Sequence, residues 1–436
     1  MRYALLLSAA LVLGCTTTDM VPVAETPAPA PAEPSVTTEP YAPTEVMEAI
    51  VEPPAPAPTQ AERFAAWKQR FIREATAKGY APDLLANTVG RATINDRALE
   101  RDTEQPEFTR PVWSYIENAA SADRINRGKT KLAEQDAAFA TIERTYGVPR
   151  HILTAIWGLE SSYGRIQGSH DIIDSLATFA FEGRRKRFGE QQLYAALDLI
   201  ASGAVRPEQL KGSWAGAMGM TQFIPSTFRD YAVDFDRDGN KNLWESEGDA
   251  LASAANYLAR SGWRRGEPVM SEVLVPADFD YSLSETVEKT VNDWTALGVR
   301  PANGMRWGGS AGLLNAKLLV PAGHRGPKLL VFDNFDVIKK YNNSTSYVMG
   351  IASLGDALRG RAAITNPWPE DDEPLSFIDK QRMQEKLTEL GYSTGGVDGQ
   401  VGPMTRAAIR SWQRANGLPA DGYVERRLYE RILASR

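Results

Sequence analysis

The chain has 436 residues, too many for one small core, and about two to three domains are expected. It is 43% hydrophobic and 24% charged, with a formal net charge of −6 and a pI of about 5.4. That balance carries no nucleic-acid footprint, so no nucleic-acid partner is expected. Three widely spaced histidines (His151, His170, His324) and one cysteine leave no zinc cluster to build. Metal-dependent peptidase and amidase chemistry is therefore excluded, as is any disulfide within the chain.

Residues 1–15 read "MRYALLLSAALVLGC". Arg2 gives a positive start, and the apolar run Tyr3 to Leu13 is too short to span a bilayer, which is the pattern of a signal peptide. The ending "VLGC" resembles a bacterial lipobox, in which Cys15 becomes an acylated first residue. Several acyl chains on one residue anchor a protein stably. Thr16 stands where an aspartate usually retains lipoproteins at the inner membrane. The expectation is a lipid anchor in the outer membrane, on its periplasmic face. Residues 16–61 then form a tether, with eleven of the 27 prolines falling between Met20 and Pro58. Such a segment cannot bury enough apolar surface to fold, and its prolines favour an extended chain reaching on the order of 120 Å.

Residues 62–363 read as a mainly helical domain. "AERFAAWKQRFIREATAKG" and "KTKLAEQDAAFATIERTYGVP" repeat apolar residues at helical spacing and stop at glycine. β-Branched runs around Val269–Lys340 predict a small strand-containing insert. In "ILTAIWGLESSYGR", a helix starting near Pro149 carries Ile152, Leu153, Ile156 and Trp157 as its apolar stripe. Glu160 lies four residues after Ile156 and three after Trp157, on that same stripe. A carboxylic acid facing a core is desolvated, which favours its protonated form. A protonated acid is what the leaving oxygen of a glycosidic bond requires. A structural glutamate that pairs locally is the alternative from this helix alone.

"DFDRDGNKNLWESEGD" (234–249) places oxygens at Asp234, Asp236 and Asp238, a glycine at 239, then Asn240 and Asn242. This is the EF-hand pattern of hard ligands in a tight loop, and it predicts a structural Ca²⁺. Glu245 holds the twelfth position, where such loops usually place a bidentate ligand. Lys241 stands where an apolar residue is usual.

Together "GLESSYGR", "GSWAGAMGMTQFIPSTF" and "YNNSTSY" resemble the lytic murein transglycosylase B family, over roughly residues 62–360. The resemblance implies a lysozyme-like helical core with a cleft for peptidoglycan glycan strands. It implies non-hydrolytic cleavage of the bond between N-acetylmuramic acid and N-acetylglucosamine, leaving a 1,6-anhydro ring. No cofactor enters that chemistry. By position, Glu160 matches the single catalytic acid/base, Ser213 and Gln222 match polar cleft residues, and Asn342 matches the residue near the acetamido sugar. Tyr115, Tyr257, Tyr341 and Tyr347 match an aromatic lining for sugar rings. For the metal loop the resemblance points to Asp249 rather than Glu245. Where relatives carry an aromatic pair, "RRKRFG" offers only Phe188.

A linker at 364–376 precedes a last unit, 377–436. Two half-repeats there each carry an amphipathic helix, a glycine stop and an Asp-Gly turn (Asp398-Gly399, Asp421-Gly422). The pattern looks like the small three-helix peptidoglycan-binding domain. A hydrolytic muramidase and a non-catalytic wall-binding lipoprotein are the alternative functional readings. The sequence leaves oligomeric state open, with a monomer expected.

Overall fold

Trp157, Phe139, Ile142, Leu153 and Ile156 are wholly buried and mark the centre of the helical domain. The computed structural model describes residues 57–101 and 111–436, so Cys15, the signal segment and most of the tether lie outside the described residues. Among the described residues no helix is long and apolar enough to cross a membrane.

Helix Arg150–Ser161 starts after Pro149, whose extended backbone at the N-cap forces the turn into the helix. It buries Ile152 to Gly158 continuously, because neighbouring helices cover it from several sides. Its partners are helix Ala122–Glu134 and helix Thr345–Leu358, which is itself buried from Tyr347 to Gly355. Two close approaches make this possible. A Cβ on Gly158 would lie 2.7 Å from the Tyr163 hydroxyl, and one on Gly350 would lie 3.0 Å from the Tyr115 ring. Any larger residue at either place would displace the tyrosine ring it meets.

The expected insert is a five-stranded sheet. Its strands are β3 (Met270–Leu274), β4 (Glu288–Thr290), β5 (Arg300–Pro301), β6 (Asn315–Leu319) and β7 (Lys328–Val331). Their order is β4-β6-β7-β3-β5, antiparallel throughout. It has its own core around Trp294, whose indole N–H donates to the Ala316 carbonyl at 2.9 Å. A two-residue ribbon, β1 (His170–Asp171) with β2 (Lys211–Gly212), lies in the helical domain.

The C-terminal unit has helices Phe377–Glu389, Pro403–Ala415 and Arg426–Ala434 around Met383, Ile409, Trp412 and Ile432. The two Asp-Gly turns are gripped in the same way. Gln384 donates to Asp398 at 3.0 Å and accepts from the Gly399 N–H at 2.8 Å. Gln413 donates to Asp421 at 2.7 Å and accepts from the Gly422 N–H at 2.8 Å. Asp421 also accepts from the backbone N–H of His324, in the insert, at 2.8 Å, and lies 2.7 Å from its Nδ1. Nearby, Arg410 pairs with Glu285 at 2.9 Å.

Candidate active site

Glu160 occupies the last turn of helix Arg150–Ser161 and is half-buried. The helix stops because Ser162 and Tyr163 both take left-handed backbone, at φ 51° and 61°. Two such non-glycine residues in succession cost energy and persist only where packing enforces them. Here Tyr163 is buried, and its hydroxyl donates to the Arg124 carbonyl at 2.7 Å.

The next residue after the acid, Ser161, is the clamp. Its buried hydroxyl donates to the Met220 carbonyl at 2.6 Å and accepts from the Gly164 N–H at 2.9 Å. Met220 belongs to a tight loop closed by reciprocal backbone bonds between Met218 and Phe223. Gln222 sits in that loop at φ 50°. Its amide nitrogen donates to the carbonyls of Gln167 (3.1 Å) and Gly219 (2.8 Å). Both amide hydrogens are thus committed, and what Gln222 offers a ligand is its carbonyl oxygen.

Tyr347 is buried near the start of helix Thr345–Leu358, and its hydroxyl donates to Glu160 Oε1 at 2.6 Å. Burial first, and then the charge of Glu160, hold the Tyr347 and Tyr341 phenols well above their ordinary range. Both remain neutral donors. Tyr341 donates to the carbonyl of Thr221, in the same loop as Gln222. Tyr257 packs edge-on against Tyr341 with ring centroids 5.2 Å apart, and its hydroxyl donates to the Lys340 carbonyl at 2.6 Å. Tyr115 is half-buried and contributes to the electrostatic field on Tyr347.

Glu160, Tyr347, Tyr341, Tyr257 and the Gln222 loop therefore form one connected assembly. Ser213 and Asn342 make local bonds instead. Ser213 Oγ accepts from the Ala217 N–H at 3.0 Å and closes a turn. Asn342 Oδ1 accepts from the Ser344 N–H at 3.2 Å, between two helices. Sequence reasoning missed Ser161 and Gln167, although "ESSYG" shows a small polar residue right behind the acid. Gln167 lies against Gln222, and its buried side-chain carbonyl has no donor among the described residues.

In the acidic loop, carboxylate oxygens of Asp234, Asp236 and Asp249 lie within 4.8 Å of one another. Asp249 is buried in the first turn of helix Glu247–Arg260, and accepts from the N–H groups of Phe235 and Asn242, both at 2.8 Å. Burial, with the nearby Asp236 and Asp234, pushes its carboxyl above the ordinary range. A hard divalent cation would relieve that crowding, so the donor set fits Ca²⁺. Glu245 is exposed, near Asn242, and lies outside the three-carboxylate group, as does Asp238. Asn240 is exposed, and its N–H caps Asp238 at 2.7 Å.

The family model "Transglycosylase SLT domain" matches residues 63–356, and a peptidoglycan binding domain model matches residues 379–432. Membrane-bound lytic murein transglycosylase B of Escherichia coli is 32% identical over 274 residues, 61% of this chain and 72% of that one. The structure of SltB3 from Pseudomonas aeruginosa in complex with NAG-anhNAM-pentapeptide aligns with a TM-score of 0.81 at 43% identity. It covers 85% of this chain and 99% of that one. Escherichia coli Slt35 in complex with calcium aligns with a TM-score of 0.59 at 30% identity, covering 67% of this chain and 92% of that one. The chain belongs to the SLT-domain family of lytic murein transglycosylases, and it carries a peptidoglycan-binding domain at its C-terminal end.

Proposed function

We propose that Glu160 alone carries both proton transfers of a non-hydrolytic cleavage of peptidoglycan between N-acetylmuramic acid and N-acetylglucosamine. The supporting observation is the hydrogen bond from Tyr347 to Glu160 Oε1, which fixes the orientation of the carboxyl group. As acid, Glu160 protonates the leaving glycosidic oxygen. As base, it then takes the proton of the muramic C6 hydroxyl, whose oxygen closes onto C1. The product is a 1,6-anhydro end, and water is not consumed. A two-carboxylate hydrolase needs a second acid several ångströms away. The carboxylate acting on both Tyr341 and Tyr347 is Glu160. Gln222, Ser213 and Asn342 orient the acetamido sugars, and Tyr115, Tyr257 and Tyr341 line the ring sites.

Ca²⁺ binds Asp234, Asp236 and Asp249, with Asp238 and Asn240 completing the loop, and has a structural role. Acylated Cys15 anchors the chain at the periplasmic face of the outer membrane. In support, the Escherichia coli relative is named as membrane-bound, and Slt35 was solved with calcium.

Mass spectrometry of products from purified sacculi tests the chemistry. Anhydro ends lack one water relative to reducing ends, so reducing ends alone would assign the chain to hydrolytic muramidases instead. Absence of any release would leave a wall-binding role.

A further inference from the structure

The two Asp-Gly turns of the C-terminal unit are built alike and used differently. In each, one carboxylate oxygen is spent inside the turn. Asp398 Oδ1 accepts from Gln384 Nε2 at 3.0 Å and from the Gln400 N–H at 2.9 Å. Asp421 Oδ1 accepts from Gln413 Nε2 at 2.7 Å and from the Tyr423 N–H at 3.0 Å. The second oxygen separates them. Asp421 is buried, and its Oδ2 takes the His324 N–H of the insert. Asp398 is exposed, and its Oδ2 receives no hydrogen bond from the other described residues.

The contrast repeats at the turn glycines. A Cβ on Gly422 would lie 3.0 Å from the Arg410 side chain, which is paired with Glu285 of the insert. A Cβ on Gly399 would lie 2.5 Å from the Phe377 ring, which is 58% exposed. One on Gly395 would lie 2.6 Å from Met404 Sδ, and Met404 is also 58% exposed. Val397, between these two glycines, is 42% exposed. Single exposed apolar side chains are ordinary, but three around the loop Gly395–Gly399 make a patch.

The covered turn shows what such a turn holds. The insert brings it an amide N–H at close backbone approach, with a Cβ on Gly323 only 2.6 Å from Asp421 Oδ2. The bare turn offers the same acceptor. Bonds from Gln384 and Gln400 hold the Asp398 carboxyl below its ordinary range, so it is an acceptor only. An acetamido sugar matches this surface with an amide N–H for the carboxylate, a methyl group and a ring face.

We propose that the Asp398-Gly399 turn, with Phe377, Val397 and Met404, is where this domain grips the glycan strand, through the acetamido groups of its sugars. Asp398 Oδ2 accepts the acetamido N–H, Val397 and Met404 pack on the acetyl methyl, and Phe377 lies under the sugar ring. The Asp421-Gly422 turn serves as the dock to the insert. This assignment rests on the unit being a peptidoglycan-binding domain and not on the chemistry at Glu160.

The test is a titration of the full chain, carrying Glu160→Gln and methionine labelled with ¹³C at its methyl group, with tetra-N-acetylglucosamine, a soluble glycan without stems. Met404→Leu and Met220→Leu assign two signals. Met404 reports the turn, and Met220, whose carbonyl holds Ser161 beside the acid, reports the catalytic domain. The buried Met383 reports the fold of the C-terminal unit. The expected result is a saturable shift of Met404. Phe377→Ala and Asp398→Asn, which keeps Oδ1 and replaces Oδ2 by a donor, should each weaken it about tenfold. Both should leave Met383 in place and the Met220 response as in the parent. Free wall pentapeptide should not move Met404. Three outcomes overturn the proposal: no Met404 shift at roughly ten millimolar sugar, a shift that neither variant weakens, or an equal or larger shift with the pentapeptide. Because Met220 is read separately in a chain without the acid, failure at Met404 leaves the cleavage reading standing.

Discussion

Two acidic places in the helical domain are built on opposite plans. At Glu160 one carboxylate is held by a phenol and surrounded by tyrosines. At the 234–249 loop three carboxylates crowd together, held by backbone N–H groups. A neutral donor on a lone acid steers a proton without cancelling the charge that must come and go. Backbone donors around clustered acids steady the charges but leave their repulsion in place, which invites a cation. The acid type therefore does not decide the role; the partners do.

The largest effect should come from removing the lone acid. Glu160→Gln is expected to cut turnover on sacculi at least ~1,000-fold, while thermal stability and binding of the wall change little. Substantial residual cleavage would break the distinction, because another group would then be moving the proton. Tyr347→Phe removes only the orienting bond. A loss of ~10–100-fold in kcat with KM nearly unchanged is expected in steady-state assays, and a change confined to KM would make Tyr347 a sugar contact instead.

At the loop the expected effects are on stability. Added calcium should raise the melting temperature by several degrees and a chelator should lower it, through RT ln(1 + [L]/Kd). Asp249→Asn should abolish that response, whereas Glu245→Gln should preserve it. If Glu245→Gln abolishes it instead, the twelfth position of the loop is the ligand.

A smaller effect sharpens the comparison with a third buried titratable group. Burial, and then the charge of Arg359, lower His151 from 6.5 to about 4. Below pH 6.5 the unfolded chain takes up a proton that the folded chain refuses. Stability is therefore lost as pH falls from about 6.5 towards 4, by up to ~3 kcal/mol. In urea titrations His151→Gln should flatten this part of the pH profile.

The Glu160 stripe was legible because helix periodicity places residues 156, 157 and 160 on one face whatever the tertiary structure. The insert and the paired Asp-Gly turns were legible for the same reason, since both are local patterns. The acidic loop was legible only as a spacing. Its first carboxylates follow a fixed spacing, but whether Glu245 or Asp249 joins them depends on where helix Glu247–Arg260 begins, and that start buries Asp249. Ser161 illustrates the limit. Its neighbour in sequence is the acid, yet its bond partner, Met220, lies 59 residues away.

The attachment of Asp421 to His324 changes how the last sixty residues should be thought of. A module swinging on a linker only makes encounters more frequent. One whose turn is fastened to the insert, and whose Arg410 is paired with Glu285, is held in orientation as well. A wall strand gripped by such a module would have fewer angles of approach to the catalytic domain than one carried on a free linker.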